Sequence, residues 1–264
     1  MRFQFGKNWA SYSTGITEQH LKLARESFER FENVHTLSGW RVLDIGCGSG
    51  LHSCIAAQMG AASIFSFDYD PQSVETTRAL KTRWAPQVNG WTIERGDVLD
   101  ERWMASLGEF DLVYAWGVLH HTGRLWDAIR LAAQRVKPGG RLHLAIYNHH
   151  WTSPIWKWIK WAYCKSPSPL QFLILLAYAV EEVGRIFLIK RRNPILFIRT
   201  YTSHRGMSWW HDLRDWIGGY PYEYASVSEI NSALESLGFR AERVAPNPTP
   251  GCSEFLFIKR APAL

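Results

Sequence analysis

The chain has 264 residues, 46% of them apolar, and a formal net charge of +6. That length suits one α/β domain with an insertion and is cramped for two domains. Its cysteines (Cys47, Cys54, Cys164, Cys252) share no C-x-x-C spacing and the opening Met-Arg-Phe-Gln-Phe-Gly-Lys lacks a signal-peptide core, so no disulfide framework is expected and the expectation is a cytoplasmic protein with reduced thiols.

In chain order, an aromatic lead, Phe5-Gly-Lys-Asn-Trp-Ala-Ser-Tyr12, comes first. Leu21, Ala24, Phe28 and Phe31 then recur at helical spacing behind Thr17, a good N-cap, and predict an amphipathic helix over 16–33. From Val42 to Tyr147 short apolar strands (Val42–Ile45, Ile64–Phe67, Trp91–Arg95, Leu112–Ala115, Leu142–Tyr147) alternate with helical patterns, such as Leu51–Met59 and the stretch capped by Asp70-Pro71. Alternation of this kind implies βαβ units and a mainly parallel sheet covered on both faces. Asp111 reads as the start of a strand without chemistry. Ser226-Val-Ser-Glu229 is a capping box opening a helix to about Leu237; Gly238 closes it, and strands follow near Ala241–Ala245 and Glu254–Lys259.

The stretch richest in chemical information is Trp40-Arg-Val-Leu-Asp-Ile-Gly-Cys-Gly-Ser-Gly50. Gly46, Gly48 and Gly50 let the backbone turn tightly and allow a ligand to approach it. A dinucleotide fingerprint spaces its glycines G-x-G-x-x-G and seats a pyrophosphate on the next helix. Here the spacing is G-x-G-x-G, and Asp44 stands two residues ahead, where it repels a phosphate and attracts a cation. S-adenosylmethionine (SAM) carries a sulfonium and an ammonium and no phosphate. Asp68 ends the second strand and suits a bidentate hydrogen bond to ribose hydroxyls.

With Gly96-Asp97-Val98, Phe110 to Thr122 and Val136-Lys-Pro-Gly-Gly-Arg-Leu142 in the same order and distances, the chain resembles the class I SAM-dependent methyltransferases. The resemblance implies a seven-stranded, mostly parallel Rossmann-like sheet with helices on both faces, the last strand inserted antiparallel. It implies SAM as donor, with S-adenosylhomocysteine (SAH) as product. The cofactor contacts expected are Asp44, Gly46, Cys47, Gly48 and Gly50, Asp68 on the ribose, Tyr69 stacked on adenine, Asp97 and Val98 at the adenine amino group, and Trp116 at the end of strand four. Cys47 is expected to fit by size and not to act as a nucleophile. In methyltransferases a lead like residues 5–12 often folds over the cofactor, so Trp9 and Tyr12 either seal the site or simply pack on the sheet.

Residues 1–35 are thus expected to be lid and helix, 36–148 the SAM-binding core, 149–225 a helical cap inserted after strand five, and 226–264 the last helix and two strands. The insertion is too long for an ordinary connection. It holds seven of the fourteen tryptophans, and residues 150–205 carry a net +7. Within it Leu170–Val180 and Val183–Ile189 are apolar and Lys190-Arg-Arg192 is basic. The apolar run is too short to span a bilayer. Two readings are open: an interfacial helix on an anionic bilayer, or a cap helix buried against Trp156, Trp158 and Trp161 with the basic residues solvated.

Methyl transfer needs positioning and desolvation more than covalent catalysis. A hydroxyl acceptor also needs a base, and His121 in Gly117-Val-Leu-His-His-Thr122 is the first candidate, with His120 either second or a packed residue. This strand edge is also similar to the quinol O-methyltransferases of ubiquinone biosynthesis, with His121 at the place of their catalytic histidine. Their metal-associated acids fall on Gly117 and His120 here, so no metal is expected. Arg205, His211 and Asp215 are candidates to face substrate, the alternative being that Arg205 and Asp212 or Asp215 pair to pin the cap. Tyr147, Asn148, Trp209 and Tyr220 are candidate substrate contacts. The function expected is O-methylation of a phenol or quinol, small or lipid-like, with S-methylation of a small thiol or a non-catalytic SAM-binding, membrane-recruited protein as alternatives and a NAD-dependent reductase as the remaining rival. Nucleic acid is not the expected substrate, because the basic residues are mixed with long aliphatic runs.

Overall fold

A computed structural model describes residues 5–205 and 208–261, the side chains of 202–205 set aside. The apolar runs pair as β1 (Arg41–Ile45), β2 (Ser63–Asp68), β3 (Trp91–Arg95), β4 (Phe110–Trp116), β5 (Val136–Tyr147), β6 (Phe239–Ala245) and β7 (Cys252–Lys259). They form one sheet in the order β3-β2-β1-β4-β5-β7-β6. The first five strands run parallel, and β7 enters antiparallel between β5 and β6. The expected seven-stranded α/β sheet is therefore correct.

Neighbouring residues on a strand point to opposite faces, and the burial follows. Leu43, Ile45 and Val113 pack under α6 (Leu125–Gln134) and α11 (Val227–Ser236). Val42 and Leu112 pack under α2 (Glu18–Glu32), α3 (Leu51–Gln58) and α4 (Pro71–Trp84). The caps fall where the sequence puts them. Asp70 accepts from the Gln72 N–H at 2.9 Å, Thr17 and His20 form a capping box, and so do Ser226 and Glu229. One boundary differs. The strand expected at Leu142–Tyr147 begins earlier, at Val136, because Val136 pairs with Phe110 before a bulge brings Arg141 opposite Leu112. Asp111 is busier than expected: it accepts from the Arg41 N–H at 2.8 Å and pairs with Lys137.

Between β5 and α11 lie α7 (Ser153–Lys165), α8 (Ser168–Leu188), α9 (Pro194–Arg205) and α10 (Trp209–Gly218). Tyr163, Leu175, Ala179, Trp209, Leu213 and Ile217 give this layer its own small core. The expectation of α8 buried against three tryptophans needs correction. Trp156 packs edge-on against Tyr178 of α8 at 5.4 Å, but Trp158 and Trp161 meet each other edge to face and remain exposed. Ahead of β1, α1 (Gly6–Thr14) lies along α4, its first N–H donating to the Asp70 carboxylate at 2.9 Å.

Candidate active site

The loop after β1 is tied to the end of β2, the N–H groups of Gly46 and Cys47 both donating to the Phe67 carbonyl at 2.8 and 3.0 Å. Gly46 has φ +72° and Gly48 φ +54°, conformations that a side chain disfavours. A Cβ on Gly46 would also fall 2.5 Å from the Val118 methyls, and one on Gly48 would fall 3.3 Å from the Trp9 indole. The loop can therefore meet a ligand only through bare backbone.

Two acids sit beneath it. Asp68 accepts from the Gly48 N–H at 3.0 Å through one oxygen and from the Asp70 N–H at 2.9 Å through the other. Asp44 ends a buried relay: the Trp91 indole N–H donates to Ser66 at 2.8 Å, the Ser66 and Ser53 hydroxyls lie 2.6 Å apart, and Ser53 donates to Asp44. Burial pushes Asp44 up to about 7, against the Ser53 hydrogen bond and with help from the Asp68 charge. Burial likewise raises Asp68 to about 6. Neither carboxylate forms an ion pair among the described residues. Desolvated acids without a counter-charge are poorly matched to a phosphate and well matched to a cation, so the loop fits SAM, whose ammonium and sulfonium supply that charge. The ribose assignment of Asp68 is compatible, because each oxygen retains a lone pair.

The other expected cofactor residues divide. Tyr69 is half-exposed, with the Arg95 guanidinium 5.8 Å from its ring centre. Asp97 accepts from the Leu99 N–H at 2.9 Å, which shapes the loop after β3. The Val98 side chain is buried in the core beside Phe67, so only its backbone is available to a ligand. Cys47 is buried with Thr77 donating to its sulfur at 3.2 Å, and burial pushes its thiol well up, as suits a packing residue. The Trp116 indole donates to Glu254 of β7 at 3.2 Å, which turns it toward the far edge of β5. Trp9 covers the glycine loop, whereas Tyr12 packs into the core with Ile16 and Leu21.

At the lip of β4 a short 3₁₀ turn, Leu119–His121, holds both histidines. His121 Nδ1 lies 2.8 Å from the Pro221 carbonyl, which can only accept, so the ring is held with its proton on Nδ1 and a lone pair on Nε2. Burial, with the Lys160 charge adding, lowers its pKa from the ordinary value near 6.5 to about 3. His121 is thus a neutral hydrogen-bond acceptor and a weak base. His120 is fully buried, accepts from the Tyr147 N–H at 3.4 Å, and is pushed well down by burial. It is a packed residue.

Asp215 and His211 find a partner that the sequence reading did not name, Asn8 of α1. The Asn8 amide donates to Asp215 at 2.6 Å and to the His211 carbonyl at 3.1 Å, and His211 Nε2 lies 3.0 Å from Ser11. They pin α1 to α10, while Asp212 bonds Tyr201. The Arg205 side chain lies outside the described residues. Asn148 spends its amide on the carbonyls of Asn247 and Thr249, bracing the β6–β7 loop, and Trp209 is in the core of the helical layer. Tyr147 does face the histidines, its ring 4.0 Å from His120 and 5.4 Å from His121. Tyr220, half-buried, follows α10 on the approach to Tyr222.

Two clusters had no signal in the sequence. Lys160 is fully buried, its ammonium 4.2, 5.0 and 5.5 Å from the ring centres of Trp216, Tyr222 and Tyr147. His143 bridges Glu32 and Glu254 at 2.6 and 2.8 Å, sandwiched against Phe28 and Phe31. Lysine on an apolar helix and histidine inside a strand look ordinary until tertiary packing brings partners from distant segments.

This strand order, with an antiparallel seventh strand and a glycine loop led by an acid that has no ion-pair partner among the described residues, defines a class I SAM-dependent methyltransferase. The chain matches the family described as "Methyltransferase domain" over residues 17–244 and belongs to it. It is 37% identical over 107 residues to the ribosomal protein L11 methyltransferase of Burkholderia orbicola (40% of this chain, 32% of that one). It is 35% identical over 122 residues to the ubiquinone biosynthesis O-methyltransferase of Xanthomonas euvesicatoria pv. vesicatoria (45% and 49%). The matched stretch thus spans a third to a half of these curated relatives. Its fold is similar to that of the magnesium protoporphyrin IX methyltransferase of Synechocystis PCC 6803 with bound SAH, with a TM-score of 0.56 and 16% identity over 91% of this chain and 84% of that one. It is also similar to PKMT2 of Rickettsia typhi in complex with AdoHcy, at 0.59 and 14% over 92% and 54%.

Proposed function

We propose that the enzyme methylates a hydroxyl of a small or lipid-like phenol or quinol. The observation that carries this reading is the run of rings at the lip of β4 and β5. His121 touches Phe5 at 5.0 Å and Tyr147 at 5.4 Å, and Tyr147 touches Trp216 at 5.4 Å and Tyr222 at 4.9 Å. Such walls suit a flat, partly apolar acceptor oriented by a few polar groups. Residues 149–225 act as its cap, with Tyr147 and Tyr220 as lining. His121 Nε2, already in acceptor form, takes a hydrogen bond from the acceptor hydroxyl and orients it. Trp9 and α1 exclude water over the glycine loop. A panel of catechols, quinols and small thiols assayed for SAH release tests the reading; a preference for thiols overturns it. His121→Ala should keep SAM affinity and lose turnover roughly 10-fold, the size expected for one lost orienting hydrogen bond of about 1.4 kcal/mol.

We also propose that the outer face of the cap rests on an anionic bilayer. No helix among the described residues is long and apolar enough to cross a membrane. Yet α8 carries apolar side chains on its buried and its outer sides: Leu175, Ala179 and Ile186 are buried, while Phe172 (64% exposed) and Leu188 (72%) face outward, and Ile189 (73%) and Trp158 of α7 (69%) are exposed as well. Glu181 and Glu182 are occupied by Arg185 and Lys190, and Lys157, Lys165, Arg191, Arg192 and Arg199 are exposed cations of the same helical layer. Exposed apolar side chains together with cations match the headgroup boundary of an acidic membrane. Co-sedimentation with phosphatidylglycerol vesicles, weakened by salt and absent with phosphatidylcholine alone, is the expected result; equal or no binding to both overturns it.

A further inference from the structure

The buried lysine is the group that the reading above leaves without work. Lys160 sits on α7, enclosed by Tyr147 from β5, Trp216 from α10 and Tyr222 from the loop that follows. An ammonium has three N–H donors. One donates to the Trp216 carbonyl; the recorded neighbours of the remaining charge are π faces, and no carboxylate pairs with it among the described residues. The Trp216 ring packs against that ammonium, and its indole N–H is buried without an acceptor among the described residues. The charged and titratable groups facing Lys160 are His120 and His121 of the 3₁₀ turn, Asp215 of α10, Cys164 of its own helix and Cys252 of β7. Asp215, the carboxylate among them, is already bonded to Asn8. A buried cation contributes little to stability, since an apolar residue of similar size often serves as well.

We propose that Lys160, with the Trp216 indole N–H, is the anion-holding group of the acceptor subsite, taking an acidic oxygen of the phenol or enol class. This rests on the O-methylation reading and specifies its substrate. On binding, the neutral amine takes the proton of the acceptor O–H, leaving an oxyanion against the ammonium. The oxygen then forms its bond to the methyl carbon as the sulfur–methyl bond breaks, and the sulfur keeps that electron pair as a neutral thioether. The ammonium afterwards loses its proton to solvent, so one proton is released per turnover. Burial lowers Lys160 to about 7, which lets the amine and ammonium interchange near neutrality.

The test uses 4-nitrocatechol as probe, with the protein saturated in SAH, and reads the visible phenolate band against pH. Wild type should bind the phenolate form in preference and lower the apparent pKa of the bound probe by about one unit, a ~10-fold shift in the ionisation equilibrium. Lys160→Met should abolish the shift while retaining SAH affinity, and Lys160→Arg should retain most of it. Trp216→Phe, which keeps a ring and removes the donor, should lose part. An unshifted probe pKa in wild type overturns the proposal without recourse to any variant. A shift that survives in folded, SAH-binding Lys160→Met overturns it too. If phenols of the acceptor panel are methylated equally by wild type and Lys160→Met, the lysine assignment fails and O-methylation stands. If thiols alone are methylated, both fail.

Discussion

The glycine-loop half and the helical layer handle buried charge in contrasting ways. In the loop half Asp68 is met by two backbone N–H groups, and Asp44 terminates a relay of hydroxyls. In the helical layer Lys160 is met mainly by aromatic faces and Asp215 by one amide. Backbone donors are fixed by the chain path and short-range sequence, so the first arrangement is rigid and local. Side-chain partners from four separate elements are not, so the second depends on how the layer docks.

The strongest way to break the loop half is Gly46→Ala. Left-handed backbone costs a non-glycine residue roughly 1–2 kcal/mol, and the new methyl would also overlap Val118. Calorimetry should show SAM affinity reduced at least ~10-fold, since each 1.4 kcal/mol is a factor of ten, with partial recovery in Gly46→Ala/Val118→Ala. No loss would mean that the loop does not contact the donor.

The matching blow to the other half is Asn8→Ala. It removes the amide from Asp215 and leaves a buried carboxyl short of a partner, at a cost of about 1–3 kcal/mol, measurable by urea denaturation. Stability within experimental error of wild type would show that α1 is not held by α10.

Acidity separates the halves more finely. Asp44 and Asp68 have raised folded pKa values, about 7 and 6, so the folded protein holds their protons more tightly than the unfolded chain. Their ionisation therefore costs stability as pH climbs from the unfolded value near 4 through 7, and a bound cation offsets that cost. Thermal stabilisation by SAM should be larger at pH 8 than at pH 6, with a smaller difference for SAH, which lacks the sulfonium; equal differences would remove the charge argument. His143 has the opposite sign. Burial alone would lower it, but Glu254 and Glu32 raise it, so its contribution is complete below the unfolded value near 6.5 and is lost as pH rises through the folded value. The stability gap between wild type and His143→Gln should narrow above pH 6.5.

The smallest effect expected is on the outside of the layer. Trp158→Ser should leave stability within ~0.5 kcal/mol, as exposed sites usually do, and weaken vesicle binding.

Legibility follows the same divide. The strands, caps and glycine loop were readable because alternation, Asp70-Pro71 and alternate glycines act over a few residues. Lys160, the Asn8–Asp215 bond and the Glu32–His143–Glu254 bridge were not, because each joins segments distant in sequence. His121 was found by its place after β4, but its lowered basicity was not legible, since the packing of Phe5, Gly219 and Tyr147 around its ring has no local signature.

The helix α1 rests with Trp9 over Gly48 and is bonded through Asn8 and Ser11 to α10. One short element thus bridges the glycine loop and the helical layer. Any displacement of α1 must break both anchorages at once, the Trp9 cover over Gly48 and the Asn8 and Ser11 bonds to α10.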